Sequence, residues 1–247
     1  PWEPGEEALN PYLEPNGKGG EGLTGGGRKE DEMGWRYEKN DGSFATGSQT
    51  INGKKYQFDD SGYMQTGWQK DDNGKWNYFD KTSGAALTNQ WVTDDEYGRK
   101  YYVKSDGTMA DNEIVTIDGK QYFFQKDGPL AINKWVDSGG NWYRTDEKGQ
   151  VQTGWYKDGW KWYYLNPDGK MVSSDWVDYK GNRYFLQKDG AMAFNTYVWD
   201  PDEGVYHWVN ADGAMVPGKD VKTPPPGSNV VKYAKGTKHS RGGIALV

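Results

Sequence analysis

The sequence predicts an all-β chain: a β-solenoid of stacked β-hairpin repeats, with about nine copies of 20–23 residues. Three observations carry that reading. Turn glycines recur at Gly42, Gly62, Gly84, Gly107, Gly128, Gly149, Gly169, Gly190 and Gly213, at intervals of 20, 22, 23, 21, 21, 20, 21 and 23 residues. So regular a period over so many marks is the signature of a repeat architecture. Aromatic clusters precede most of these glycines, among them Tyr56 and Phe58, Tyr78 and Phe79, Tyr101 and Tyr102, Tyr163 and Tyr164, and Tyr184 and Phe185. Composition is the third: only 34% of the 247 residues are hydrophobic, while 15% are aromatic, with 13 Trp, 18 Tyr and 35 Gly. Aliphatic side chains are too few for a conventional core, so large amphipathic rings must do the packing.

The clearest copy is residues 155–175, WYKDGWKWYYLNPDGKMVSSD. Trp155 opens a strand, Asp158-Gly159 turns it, and Trp162 to Leu165 forms the returning strand. Asn166-Pro167-Asp168-Gly169 turns the chain again and Met171 leads toward the next copy. Asp-Gly between aromatic runs is a strong hairpin signal, because glycine enters positive φ without strain. A hairpin of this size cannot bury its own aromatics, so it must stack on another like it.

In chain order, residues 1–33 are rich in Glu, Gly and Pro without a period and read as a flexible segment. The repeats occupy 34–218, with 35–47 a capping half-repeat and 196–218 the closing copy. Residues 219–247 read as a Pro-rich linker, Lys222-Thr-Pro-Pro-Pro-Gly-Ser, and a short basic tail.

Charge and composition exclude several functions. A net charge of −6, with 30 basic and 36 acidic residues scattered along the chain, disfavours nucleic acid. Without cysteine there is neither disulfide nor thiolate metal site, which suits a secreted bacterial protein. No apolar run is long enough for a membrane span. The start at Pro1, with no signal peptide, suggests a mature form or a fragment.

The unit Trp-x4-Gly-x-Trp-Tyr-Tyr-x4-Gly-x-Met resembles the cell-wall-binding repeat of choline-binding proteins, over roughly residues 34–218 and best at 68–90, 134–154 and 155–175. The resemblance implies a hairpin solenoid of surface proteins and murein hydrolases, secreted or held at the bacterial cell wall. Related repeats occur in glucan-binding glucosyltransferases and clostridial toxins, which Thr50-Ile-Asn-Gly-Lys-Lys-Tyr-Gln-Phe and Thr116-Ile-Asp-Gly-Lys-Gln-Tyr-Phe-Phe resemble more closely. In the choline-binding family two Trp of one copy, with a Tyr and a Met of the next, enclose the ligand. Carried over, this implies three complete cages: Trp68, Trp76, Tyr101 and Met109; Trp135, Trp142, Tyr163 and Met171; and Trp155, Trp162, Tyr184 and Met192. A quaternary ammonium donates no hydrogen bond, so ring faces hold it, at about 0.5–2 kcal/mol each. Lys55, Lys100, Gln121 and Arg183 stand at the second Trp position elsewhere, and Leu130 or Val151 replaces the Met. Those junctions, including Trp91 and Trp176, are expected to be empty or to hold sugars.

Simpler roles compete with these. Tyr56, Tyr102, Phe123 and Phe185 are expected to pack between copies rather than touch ligand. The Asp-Gly turns invite a calcium reading, but Ser61, Ser83 and Lys148 interrupt the acidic position before the glycine, so no metal is assigned. His207 and His239 lack a nucleophile or paired carboxylate at suggestive spacing, and no catalytic residue or cofactor is assigned. The expected function is a non-catalytic module that attaches a larger protein, such as a cell-wall hydrolase, to choline of teichoic acid. The alternatives are recognition of glucan or host glycan, and a structural spacer.

Overall fold

The computed structural model describes residues 26–233; the expectations for 1–25 and 234–247 lie outside the described residues. Among the described residues all regular structure is strand, and no helix is long and apolar enough to cross a membrane. The strands form nine small sheets, each built on one antiparallel hairpin.

The described residues fall into two compact units. One runs to Val115 and takes in Phe124–Leu130; the other comprises Thr116–Phe123 and the residues from Ala131 onward. In the first unit, β1 (Gly27–Asp31) pairs with β2 (Gly34–Glu38), and β3 (Gly47–Ile51) with β4 (Lys54–Phe58), which short β5 (Met64–Gln65) joins at its edge. Next come the hairpins of β6 (Gly67–Lys70) with β7 (Trp76–Phe79) and of β8 (Gln90–Thr93) with β9 (Lys100–Val103). The hairpin of β10 (Glu113–Ile117) and β11 (Lys120–Phe124) is divided between the units. In the second unit β12 (Trp135–Ser138) pairs with β13 (Asn141–Arg144), β14 (Gly154–Asp158) with β15 (Lys161–Leu165), and β16 (Asp175–Tyr179) with β17 (Asn182–Leu186). There β18 (Thr196–Asp200) pairs with β19 (Val205–Val209), and β20 (Val230–Val231) runs parallel to β18.

Two boundaries differ from expectation. The first copy is not a half-repeat at 35–47 but a whole hairpin beginning at Gly27, inside the segment read as flexible. The unbroken run of charged residues in GRKED hides the strand from a pattern search. Part of the segment read as linker and tail is also ordered: Val230 and Val231 pair with Tyr197 and Val198, and Tyr233 stacks on Phe185 at 5.0 Å. A turn closed by the Ser228 N–H to the Pro225 carbonyl (3.1 Å), with Gly227 at φ +80°, returns the chain so that the valines pair with β18.

Each hairpin is completed by the next. After its return strand the chain turns through a glycine, and the residue two positions later donates its N–H to a carbonyl of the preceding copy. In the first unit these bonds run from Ala86 to Lys55 (2.9 Å), Met109 to Trp76 (2.8 Å) and Leu130 to Lys100 (2.8 Å). In the second they run from Val151 to Gln121 (2.8 Å), Met171 to Trp142 (2.8 Å), Met192 to Trp162 (2.7 Å) and Met215 to Arg183 (2.8 Å). Rings fill the space beneath: Tyr56, Phe123 and Phe185 are almost wholly buried, and Tyr102 nearly so. The packing reading of these four agrees with their burial. Small clusters result, such as Tyr164, Val172, Val177 and Leu186 with Trp155 and Met192 packed against them.

Two turn chemistries hold the copies in phase. The aspartates after the return strands cap their own loops: Asp59 Oδ1 accepts the amides of Ser61 (3.0 Å) and Tyr63 (2.8 Å). Asp146 does the same for Lys148 and Gln150. This is a backbone role that side-chain oxygens of Asp perform well. A second corner was not read from the sequence: Asn89, Asn112, Asn133, Ser174 and Asn195 all adopt positive φ, between 48° and 53°. Asn tolerates the left-handed region better than most residues, which accounts for its use.

Gly128 combines both constraints, with φ +102° and a neighbour in the way. A Cβ there would lie 2.6 Å from Met109 Sδ and 2.8 Å from Tyr101 Cδ1. Gly128→Ala is therefore expected to destabilise the protein by roughly 1–3 kcal/mol, whereas Gly98→Ala, where a Cβ meets nothing within 4 Å, loses only the backbone preference. Paired thermal denaturation of the two variants measures the difference.

Candidate functional site

The fold brings each expected set of four residues to a junction between successive hairpins. At the first, Trp68 on β6 and Trp76 on β7 belong to one hairpin. Tyr101 of the next copy approaches Trp68 at 5.5 Å between centroids and 65° between planes. Met109 is anchored to the Trp76 carbonyl. At the second, Trp135 meets Tyr163 at 4.9 Å and 62°, and Met171 is bonded to Trp142. At the third, Trp155 meets Tyr184 at 5.1 Å and 74° and Trp162 at 6.4 Å and 86°, with Met192 bonded to Trp162.

Rings set at such steep angles form the walls of a corner rather than a stack. The register explains why. Trp155 lies opposite Tyr164 and Trp162 opposite Lys157, so the two indoles sit two cross-strand pairs apart with their side chains on one face. The second Trp of every set keeps an accessible surface: 39% for Trp76, 44% for Trp142 and 38% for Trp162. A core position would not leave so much indole in water; a wall of a binding crevice would.

The electrostatics differ from junction to junction. Trp135 donates its indole N–H to Asp158 at 3.0 Å, and Asp137 stands opposite Trp142. Burial, followed by the charges of Asp189 and Asp158, raises the Tyr163 hydroxyl above its usual value, so the ring stays neutral. At the other two junctions a lysine lies over the second indole: Lys70 at 5.6 Å from Trp76 and Lys157 at 5.7 Å from Trp162.

The third junction opens into a groove of about 950 Å³. Beyond Trp155, Trp162, Tyr184 and Met192 it is lined by Trp160, Phe194, Lys157, Lys161 and Asp189. Trp160 and Phe194 meet edge to face at 6.2 Å and are 70% and 41% exposed. The sequence reading missed this pair, because Trp160 follows a turn glycine and stands outside the repeat pattern. Its signal was that a turn has no structural use for an indole.

At the junctions expected to be empty of ligand or to hold sugars, the two indoles are covered by the chain's own rings. Trp91 packs edge-on against Tyr102 at 5.5 Å and against Phe124 at 5.6 Å. Trp176 contacts Phe185 at 5.1 Å and the His207 imidazole at 5.5 Å and 88°, and donates to the Tyr233 hydroxyl at 3.4 Å. The long-range return of Tyr233 fills space that local spacing left open.

His207 carries polar contacts as well as its ring contact with Trp176. Its Nε2 lies 3.0 Å from Asp200 Oδ2 and 3.4 Å from Glu203 Oε2, and its Nδ1 2.8 Å from Asp220 Oδ1. Burial alone would lower its pKa, but the bonds to Asp200 and Asp220 outweigh it and raise the value above the ordinary 6.5. Asp200 moves the other way: burial opposes ionisation, yet the imidazole and the amides of Glu203 and Asp202 hold it below 3.8. A raised histidine contributes stability that is full below the unfolded pKa and lost as pH rises through the folded one. The lowered Asp200 contributes above its unfolded pKa and loses that contribution as pH falls through its folded one. The melting temperature is therefore expected to decline as pH rises from about 6.5 through the raised value, a slope absent from His207→Gln in a pH series of melts.

The chain is similar to known proteins in sequence and fold. A choline-binding repeat model matches residues 45–91 and 152–197, and a cell wall binding repeat model matches 89–109. The choline-binding domain of CbpL from Streptococcus pneumoniae is similar at 30% identity and a TM-score of 0.55, over 78% of this chain and 97% of that domain. CbpJ from the same organism is similar at 29% identity and a TM-score of 0.59, over 74% of this chain and 62% of CbpJ. Glucosyltransferase-I of Streptococcus downei is 40% identical over 90 residues, which are 36% of this chain and only 5% of that protein's length.

Proposed function

The chain belongs to the choline-binding repeat family, and from that premise we propose that it is a non-catalytic attachment module for a choline-bearing cell-wall polymer at the bacterial surface. The observation that carries this is the threefold recurrence of one arrangement. Two indoles of a hairpin, a phenol ring and a thioether of the next meet at each junction, with the second indole half in water. Such a corner offers π faces on several sides, with the carboxylates of Asp158 and Asp189 nearby at the second and third junctions. That suits a cation unable to donate hydrogen bonds.

Trp68, Trp76, Tyr101 and Met109 would form one site. Trp135, Trp142, Tyr163 and Met171 would form another, and Trp155, Trp162, Tyr184 and Met192 the third. Each ring would contribute about 0.5–2 kcal/mol, so a single site would be weak. Several sites facing a polymer that repeats its ligand gain avidity through effective concentration. Lys157 and Lys161, which line the third groove, would suit a polyanionic carrier such as teichoic acid.

One observation favours a second reading, recognition of a glucan. Glucosyltransferase-I is similar over part of the chain, and the exposed Trp160–Phe194 pair presents flat rings of the kind that stack on pyranoses. Retention on a quaternary-amine resin with elution by free choline supports the first reading; retention on dextran supports the second.

A choline titration followed by tryptophan fluorescence and calorimetry tests the proposal. The intact protein is expected to bind choline at several equivalent weak sites. Trp162→Ala should remove one of them or weaken it roughly tenfold, as expected for the loss of one desolvated ring. Trp91→Ala should leave the stoichiometry unchanged. Absence of any choline response in the folded intact protein would sink the proposal.

A further inference from the structure

The first described junction has the same four stations as the three cages, with one substitution. Arg28 on β1 lies opposite Tyr37, as Trp68 lies opposite Tyr78 and Trp155 opposite Tyr164. Trp35 precedes Tyr37 by two residues, as Trp76 precedes Tyr78 and Trp162 precedes Tyr164. Tyr56 and Met64 are eight residues apart, as are Tyr101 and Met109, Tyr163 and Met171, and Tyr184 and Met192. The bridge from Arg36 to Tyr63 sets Met64 beside Trp35 in the register by which the bridge from Asn77 to Thr108 sets Met109 beside Trp76. A cage wall has therefore been exchanged for a guanidinium.

That guanidinium lies within the crevice. Arg28 Cζ is 4.2 Å from the centroid of the Trp35 ring, and its Nη2 contacts Met64 Sδ at 4.0 Å. The cavity bounded by Arg28, Trp35, Tyr37, Tyr56, Phe58 and Met64 measures only about 10 Å³. That is no more than the room of a single water molecule. The groove at Trp155 and Trp162, by contrast, measures about 950 Å³. Burial pushes the Tyr56 hydroxyl up to about 12, with the nearby charge of Arg28 acting against it.

We infer that this junction is a fourth quaternary-ammonium site of the same design, kept closed because the chain's own Arg28 occupies the ligand's place against Trp35 and Met64. A delocalised cation stacked on an indole satisfies the ring face as an external ammonium would. It is tethered, so no free ligand competes with it at ordinary concentration. The junction between the first two described hairpins then keeps its packing whether or not choline is present. The inference rests on the reading of the other three junctions as choline sites.

The test compares the intact chain with Arg28→Ala and Arg28→Lys by calorimetric titration with choline. Arg28→Ala is expected to bind one more equivalent than the intact protein and to gain a larger choline-dependent rise in melting temperature. Arg28→Lys, which keeps a tethered cation, should not. Adding Trp35→Ala to Arg28→Ala should abolish the gain. Unchanged stoichiometry in a folded Arg28→Ala overturns the inference while leaving the other three sites standing; no binding by the intact protein overturns the reading beneath it. Should Arg28→Ala not fold, the intact protein decides by NMR. The Arg28 side-chain protons should be shifted upfield by the Trp35 ring and stay there as choline is added. A choline-dependent return to ordinary shifts, or no ring shift at all, overturns the inference.

Discussion

The structure depends on one backbone hydrogen bond repeated from copy to copy, in which the residue two positions after a turn glycine, from Gly84 to Gly213, donates to the preceding hairpin. A two-stranded hairpin is only marginally stable in water, and these hairpins carry rings that none of them can bury alone. The bond from Met171 to Trp142, or from Met192 to Trp162, fixes the distance at which the next hairpin must lie. Everything above it follows from that spacing, because the rings have one way to fill the gap. It also explains the glycines: a side chain at Gly128 would displace the very methionine that the bond holds in place.

The same bond makes a pocket out of packing. Its acceptor is the carbonyl of the second cage position, and its donor is the residue that closes the base. The elements of the site are thus the elements of the stack, differing only in which ring is left half exposed. Where the second position is Trp, an indole face remains in water, as at Trp76, Trp142 and Trp162. Where it is Arg183 the chain supplies its own partners: Asp178 takes the guanidinium at 2.9 Å, and Trp176 is covered by His207 and Tyr233. The proposed binding and the stability of the stack therefore draw on one set of contacts.

The junctions thus divide into two kinds. Some keep an aromatic corner open to the outside, and some fill it with the chain's own side chains, with Arg28 against Trp35 or His207 against Trp176. The repeat pattern leaves Trp176 without its usual partner, and the tertiary structure supplies His207 and Tyr233 instead. Local spacing carries no information about a partner 57 residues away, and Tyr233 is such a partner.

What the sequence by itself determined is the repeat: its period, its hairpins, the turn glycines, and the grouping of Trp68 with Trp76, Trp135 with Trp142 and Trp155 with Trp162. These are local matters, legible because positive φ demands glycine and because an aromatic two-residue alternation demands a strand. The first hairpin escaped notice because its strand GRKED is charged, and the corners at Asn89, Asn112, Asn133 and Asn195 because asparagine is common in any turn. Only the tertiary structure decided which ring faces which, how much of each stays in water, and which junctions the chain fills with its own cation. Those are properties of the gap between two hairpins, and the gap exists only once both have folded and the hydrogen bond between them has set its width.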